Sequence, residues 1–417
     1  MPRPAKIRIV GTLVAIPLLF PLTTTGWCGT ATSQSVVAND QTQAGSVVGS
    51  QQLDVVTAAG DTSALTTATG NSFIGSAVTG DLDVQSSQTL SGDVAAQTTI
   101  NVATDAGQTL QSTTAATGNS GSSIILGGGT LTGSFNQTTT SAAVDAESQL
   151  NGANAQTGDA SFSVQAIANS QLLGSTDSAI AANINQSNAA TVTANGGVVF
   201  GDVAGQGAFA AAGVANNVMS TGQGASTQGV VVNQTNNGEV TQGAMFANLG
   251  QSGVTSTSAT ASGDNANITN TEGSLTVGAT QDNEAYVRAQ SVETSFNWGA
   301  ASVEAEGVGN SVAAGAAGPS LSLDNVQLNG VGGVQSIASF GGDTGFDTFV
   351  SSSATGNAVT GFACSQCGGV VSVENSQTNL GDVSASSAID LTGAARSVRG
   401  VATAVGNTAS FYVSTPH

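Results

Sequence analysis

Histidine is almost missing from this chain: the only one is His417, the last residue. Nucleophilic sites built on a histidine base therefore have no base to draw on. A zinc site needs about four nitrogen or sulfur ligands, and three cysteines with one terminal histidine do not supply a convincing set. Cations are nearly as scarce. Arg3, Lys6 and Arg8 crowd the N-terminus, which leaves Arg288, Arg396 and Arg399 against all 26 acids. So acidic a surface repels DNA, RNA and anionic lipid. It accepts neutral or cationic partners, or anionic ones bridged by divalent cations. Charged residues make up only 8% of the chain and aromatics 4%, whereas a compact globule carries about 25% charged residues. Disordered chains are rich in charge and proline. Here there are six prolines, and Pro2, Pro4 and Pro17 fall in the first twenty residues. Both the ordinary globule and the disordered tail fit poorly.

Long apolar runs are confined to the N-terminus. Met1–Arg8 is basic, Ile9–Leu22 is mostly apolar, and small or polar residues follow, which is the layout of a secretory signal peptide over residues 1–31. Pro17 and Pro21 break the run, which is too short for a good spanning helix. Cleavage is expected after Ala31. Trp27 is too bulky to precede a lipidated Cys28. The mature chain is expected to be exported, with a repeat region over 32–400 and a cap or tail over 401–417.

What fills the chain is glycine, alanine, serine, threonine, asparagine and glutamine, and they recur with a beat. Gln41, Gln88, Gln137, Gln186, Gln234, Gln281, Gln327 and Gln377 are spaced by 47, 49, 49, 48, 47, 46 and 50 residues. A second landmark follows at Gly70-Asn71, Gly118-Asn119, Gly158-Asp159, Gly263-Asp264, Gly309-Asn310, Gly356-Asn357 and Gly406-Asn407, with Asn216-Asn217 standing in where one copy is missing. Two marks with one period indicate a solenoid or array. Segments alternating apolar and polar residues, such as Leu82-Asp83-Val84, Leu275–Val277 and Val371–Val373, read as strands buried on one side. The Gly-Asn and Gly-Asp pairs read as repeat turns needing positive φ.

The expected fold is all-β: an elongated β-solenoid or β-helix of about eight repeats with little helix. A period near 48 residues reads as two coils of about 24, giving a rod of roughly 75 Å at ~4.8 Å per coil. The stacked glutamines form an amide ladder, each donating to one neighbour and accepting from the other, which satisfies amides inside a narrow core and fixes register. The longer interval from Gly158 to Gln186 predicts an extra loop. Open solenoid ends must be covered or they assemble, so self-association through the ends stays open. Residues 32–50 and 401–417 are the candidate caps.

Chemistry is thin. Acids are scattered and select no catalytic pair, so a glycan-cleaving β-helix is the weakest functional reading. Gly127-Gly128-Gly129 and Val331-Gly332-Gly333 lack the aspartates of calcium-binding β-rolls. Cys364 and Cys367 form a CxxC in a glycine-rich turn, where an exported chain is expected to carry a local disulfide. No catalytic, cofactor-binding or metal-ligating residue is assigned.

The Asp81–Val94 stretch DLDVQSSQTLSGDV returns as VVSVENSQTNLGDV at Val370–Val383, and ATGN recurs at Ala68–Asn71, Ala116–Asn119 and Ala354–Asn357. With the signal peptide and the repeat, these motifs resemble the holdfast-anchor HfaD family of stalked bacteria. The resemblance implies a non-enzymatic surface protein at one cell pole, associated with the outer membrane. Its implied role is to tether the adhesive holdfast polysaccharide to the envelope. Its implied partners are that polysaccharide, a small curli-like subunit and a lipoprotein pore like the curli channel. A curli-like functional amyloid or fibre subunit is the alternative. The family supplies no catalytic residues.

Overall fold

The computed structural model describes residues 34–224, 226–364 and 369–414. The expected signal peptide lies outside the described residues. Twenty strands and no helix make up the described chain, in eight successive coils. The first coil is β1 (Ser35–Gln43), β2 (Val47–Thr57) and β3 (Thr62–Ala77); the second is β4 (Leu82–Leu90), β5 (Val94–Asp105) and β6 (Thr109–Leu126); the third is β7 (Thr130–Thr139), β8 (Ala143–Thr157) and β9 (Asp159–Thr176). From the fourth coil the second and third strands run together: β10 (Ala179–Asn188) and β11 (Thr191–Gln223), β12 (Gln228–Asn236) and β13 (Val240–Asn270), β14 (Leu275–Asn283) and β15 (Tyr286–Ala316), β16 (Ser320–Asn329) and β17 (Val334–Cys364). The eighth coil separates them again as β18 (Val370–Asn379), β19 (Val383–Leu391) and β20 (Ser397–Ser414).

Every pairing is parallel, and each residue sits against its counterpart one whole period away: Gln41 opposite Gln88, Gln88 opposite Gln137, and so on to Gln377. The β-solenoid expectation holds, but each period is one coil of three sides rather than two coils of about 24. The eight-coil stack is therefore only about 38 Å tall. The third side explains the miscount. The inward positions of its near half in the first coil are Thr62, Ala64, Thr66 and Ala68, followed by Asn71, so that stretch lacks the Val/Leu alternation that announces a buried strand and reads as turn.

The Gly-Asn pairs are not turns. Gly70-Asn71, Gly118-Asn119, Gly263-Asp264, Gly309-Asn310, Gly356-Asn357 and Gly406-Asn407 all lie inside third-side strands. The glycines leave room for the neighbouring coil: a Cβ on Gly309 would come 2.4 Å from Asn329 Oδ1 and 2.5 Å from the Gly356 carbonyl. Gly158 is instead a bend between β8 and β9, and no extra loop follows it. The true counterpart in that coil is Asn169, opposite Asn119 and Asn216, hidden because Ala168 precedes it. Positive φ is found elsewhere, at Gly80, Gly107, Gly127, Gly128, Gly129, Gly224, Gly333 and Asp177.

Residues 401–414, expected to cap or trail from the stack, are part of β20, which pairs with β17 along its length. The interior is two apolar seams. One packs the first side on the far half of the third, with Leu82, Val84, Leu131 and Phe135 against Ile125 and Leu173. The other packs the second side on the near half, with Val94, Ile100 and Leu150 against Ala116, Phe162 and Phe209. A third cluster around Trp298, Val303 and Phe340 continues it in the later coils.

Candidate functional site

Amides divide the two seams. Gln88 Nε2 donates to Gln41 Oε1, and the same bond recurs from Gln137, Gln186, Gln234, Gln281, Gln327 and Gln377, each to the glutamine before it, at 2.7–2.9 Å. The second hydrogen of each amide goes to a third-side carbonyl, as from Gln234 to Asn265. The asparagines reciprocate: Asn216 Nδ2 donates to the first-side carbonyl of Thr235 and to the next rung, Asp264 Oδ1. The two ladders thus stitch the first side to the third through the core. A further ladder escaped the sequence reading. Asn188, Asn236, Asn283, Asn329 and Asn379 donate one to the next at 2.7–2.9 Å along the corner between the first and second sides. Each lies two residues after a ladder glutamine, so the signal was present as Gln-x-Asn.

Two buried acids interrupt this neutral interior. Glu293 occupies the apolar column between Ala247 and Phe340, where burial pushes its carboxyl up; the hydroxyls of Thr255 and Thr257, at 2.5 and 2.6 Å, oppose that shift. Asp264 stands in the asparagine ladder. Burial pushes it to about 8, with Asp282 adding repulsion. Its Oδ2 and the Oδ1 of the next rung, Asn310, are both buried without a partner.

A candidate contact surface runs along the corner between the second and third sides. Thr57, Asp105, Gln156, Asp202, Gln251, Asn297 and Thr344 stack in register there, one per coil. Beside this polar stripe, Gly158, Gly205, Gly253 and Gly299 keep the floor bare; a Cβ on Gly253 would come 2.4 Å from the carbonyl of Gly205 in the coil below. The resulting groove has two lobes that share Asp202 and Ala204: one of about 530 Å3 in the early coils and one of about 770 Å3 in the later coils. The early lobe is acidic. The Gly107 N–H and Gln156 hold the Asp105 carboxyl below its ordinary range. The later lobe is aromatic. Trp298, 3% exposed, lies against Gly342 and Gly345, meets Phe340 edge-on at 4.9 Å, and donates from Nε1 to the Asp347 carbonyl. That brace sets Phe346, 59% exposed, at the groove, with the Arg396 guanidinium 5.5 Å from its ring centroid and paired to Asp347. Sequence reading did not find this stripe, because its residue types change from coil to coil.

Among the described residues no group of three or more His, Cys, Asp or Glu side chains is placed to hold a metal ion, and no helix is long and apolar enough to cross a membrane. Cys364 ends β17, and its expected partner Cys367 lies outside the described residues.

No curated protein and no solved structure matches the chain. Comparison with known families matches residues 56–332 to holdfast attachment protein D. That span is more than half of the sequence and takes in most rungs of the amide ladders and the corner stripe from Thr57 to Asn297: this chain belongs to the holdfast attachment protein D family.

Proposed function

We propose that the chain is an exported, non-enzymatic anchor that holds the holdfast polysaccharide along its corner groove and tethers it to the cell envelope at one pole. The observation that carries this reading is the groove itself, which crosses coil after coil parallel to the stack. A groove with one polar side chain per ~4.8 Å suits an extended polymer better than a small ligand, since each rung offers one hydrogen-bonding group to one stretch of chain. Phe346 adds an exposed apolar face of the kind on which a sugar ring packs. The acidic surface favours a neutral or cationic glycan over an anionic one. Holding rather than cleaving fits the groove's rigid backbone floor. On this reading the curli-like subunit and the pore-forming lipoprotein are partners in fixing the stack to the outer membrane.

Deleting the gene is expected to leave adhesive material made but shed into the medium, seen by imaging polysaccharide on cells and in supernatant separately. Adhesive that stays on the cell with normal attachment overturns the anchor reading. Restoring the gene with Phe346→Ala and Gln251→Ala together is expected to shed adhesive although the protein reaches the surface in normal amount. Full retention by that variant leaves the anchor and removes the groove.

A further inference from the structure

We propose that copies of this chain stack end to end, the eighth coil of one on the first coil of the next, so that the solenoid and its ladders continue between molecules. The inference goes beyond attachment and does not depend on the groove.

Both ends of the stack are open among the described residues. β1 and β18 are the edge strands of the first side, β2 and β19 those of the second, and β3 and β20 those of the third. An open parallel edge offers unpaired N–H and C=O groups, which natural proteins usually shield with charge, proline or a covering segment. Here the inward positions at both ends carry no charge. Following the columns through the registers shows what each end position would meet. Val373 arrives over Val37, Val383 over Val47 and Ile389 over Leu53. On the third side the sizes alternate in step: Ala409 meets Phe73, and Phe411 meets Gly75. Apolar meets apolar, and large meets small.

The ladders supply direction. In the glutamine ladder each Nε2 donates toward the N-terminal end, so at the last rung Gln377 Oε1 receives no bond from a following glutamine, while Gln41 has spent one hydrogen on the Ser72 carbonyl and holds the other. In the asparagine ladder donation runs the opposite way: Asn357 Nδ2 bonds Asn407 Oδ1, leaving Asn407 Nδ2 to continue, while Asn71 donates to Asn119 and keeps its Oδ1 to accept. Head-to-tail stacking joins Gln41 to Gln377 and Asn407 to Asn71, donor to acceptor at both. Tail-to-tail or head-to-head contact would set like groups together wherever a column met its own copy. One outward position opposes the junction: the Asp390 column continues into Asp54, two exposed acids. Salt screens that repulsion, so stacking is expected to strengthen as ionic strength rises.

The test uses the full exported chain and two end variants, Val37→Glu on the first coil and Val373→Glu on the eighth. Both positions lie in terminal coils and are only half-buried, and circular dichroism checks that each variant keeps its β-sheet signal. Mass measured by light scattering or sedimentation is expected to rise with concentration in whole multiples of one chain for the unmodified protein. Each variant alone is expected to stay monomeric, with multimers reduced at least tenfold, because Val37 and Val373 face each other at every junction. The two mixed one to one are expected to form dimers and nothing longer, because each brings one intact end. An unmodified chain that stays monomeric up to its solubility limit in high salt overturns the proposal. So do multimers undiminished in both folded variants, which place the contact on a side rather than an end.

Discussion

A single carboxyl, that of Asp264, gives its ladder a pH dependence that one substitution can remove. The other members of its ladder are asparagines, each before the last donating from Nδ2 to the next rung; Asp264 accepts from Asn216 and then faces Asn310 Oδ1, acceptor against acceptor. A proton on Oδ2 turns that clash into a donated bond, and burial favours that neutral form, raising the carboxyl to about 8. Because the folded value lies above the unfolded value near 3.8, the folded state holds a proton that the unfolded state has lost across the interval between them. Stability is thus fully present below about pH 4, falls as pH rises toward about 8, and is level above, for a total on the order of 5 kcal/mol. Asp264→Asn restores the donating amide and removes the titration. Its denaturation midpoint is expected to exceed that of the unmodified chain at pH 8 and to coincide far more closely with it at pH 4. Equal slopes of midpoint against pH in the two proteins would refute the assignment.

At the scale of the element, the rung matters more inside the stack than at its end. Gln234 donates to Gln186 Oε1 and to the Asn265 carbonyl and accepts from Gln281, all in the dry interior. Gln234→Ala leaves those groups without partners, and buried polar groups cost about 1–3 kcal/mol each when orphaned. A loss of about 3 kcal/mol or more is expected in urea unfolding. Gln41→Ala, in the exposed first coil, is expected to lose less than about 1 kcal/mol, since water replaces what is removed. Equal losses at both sites would show that the ladder is decoration on a core held by its apolar seams. This ladder was legible in the sequence because its position tolerates one residue type: only glutamine reaches both the rung below and the third-side carbonyl. The corner ladder is legible only from the fourth coil on, as Gln-x-Asn, because Gln43, Leu90 and Thr139 hold its position in the first three coils. The third side was not legible. Many of its inward positions are Ala, Ser, Thr or Asn, and the larger ones such as Phe162, Leu173 and Phe209 fall at different places from coil to coil, so period-two hydrophobicity does not stand out. The groove was illegible for a different reason: outward corner positions need only be polar, and Thr, Asp, Gln and Asn serve alike.

For the molecule as a whole, one coil per period makes each coil a removable unit, because a coil touches only the coils above and below it. Deleting residues 138–186 joins Gln137 to Ser187 and removes one full turn, the 49-residue interval that separates two ladder glutamines. Register survives on all three sides: Val94 then meets Val192, Asn119 meets Asn216, and Gln137 meets Gln234. The one poor contact is Phe200, which now lies over Gly152 and would come to rest over Asn101 and Val102 instead. The shortened chain is expected to fold, with the same β-sheet circular dichroism per residue and a stack shorter by about 4.8 Å in small-angle scattering. Deleting only 138–161, about half a period, removes β8 whole and runs β7 straight into β9. β5 and β11, which both pair with β8, lose their common neighbour, and the apolar seam of the second side is broken at that coil. That chain is expected to be unfolded or aggregated. Were the period two coils, the half deletion would be the well-tolerated one, so the pair of deletions decides the architecture by solubility and circular dichroism alone.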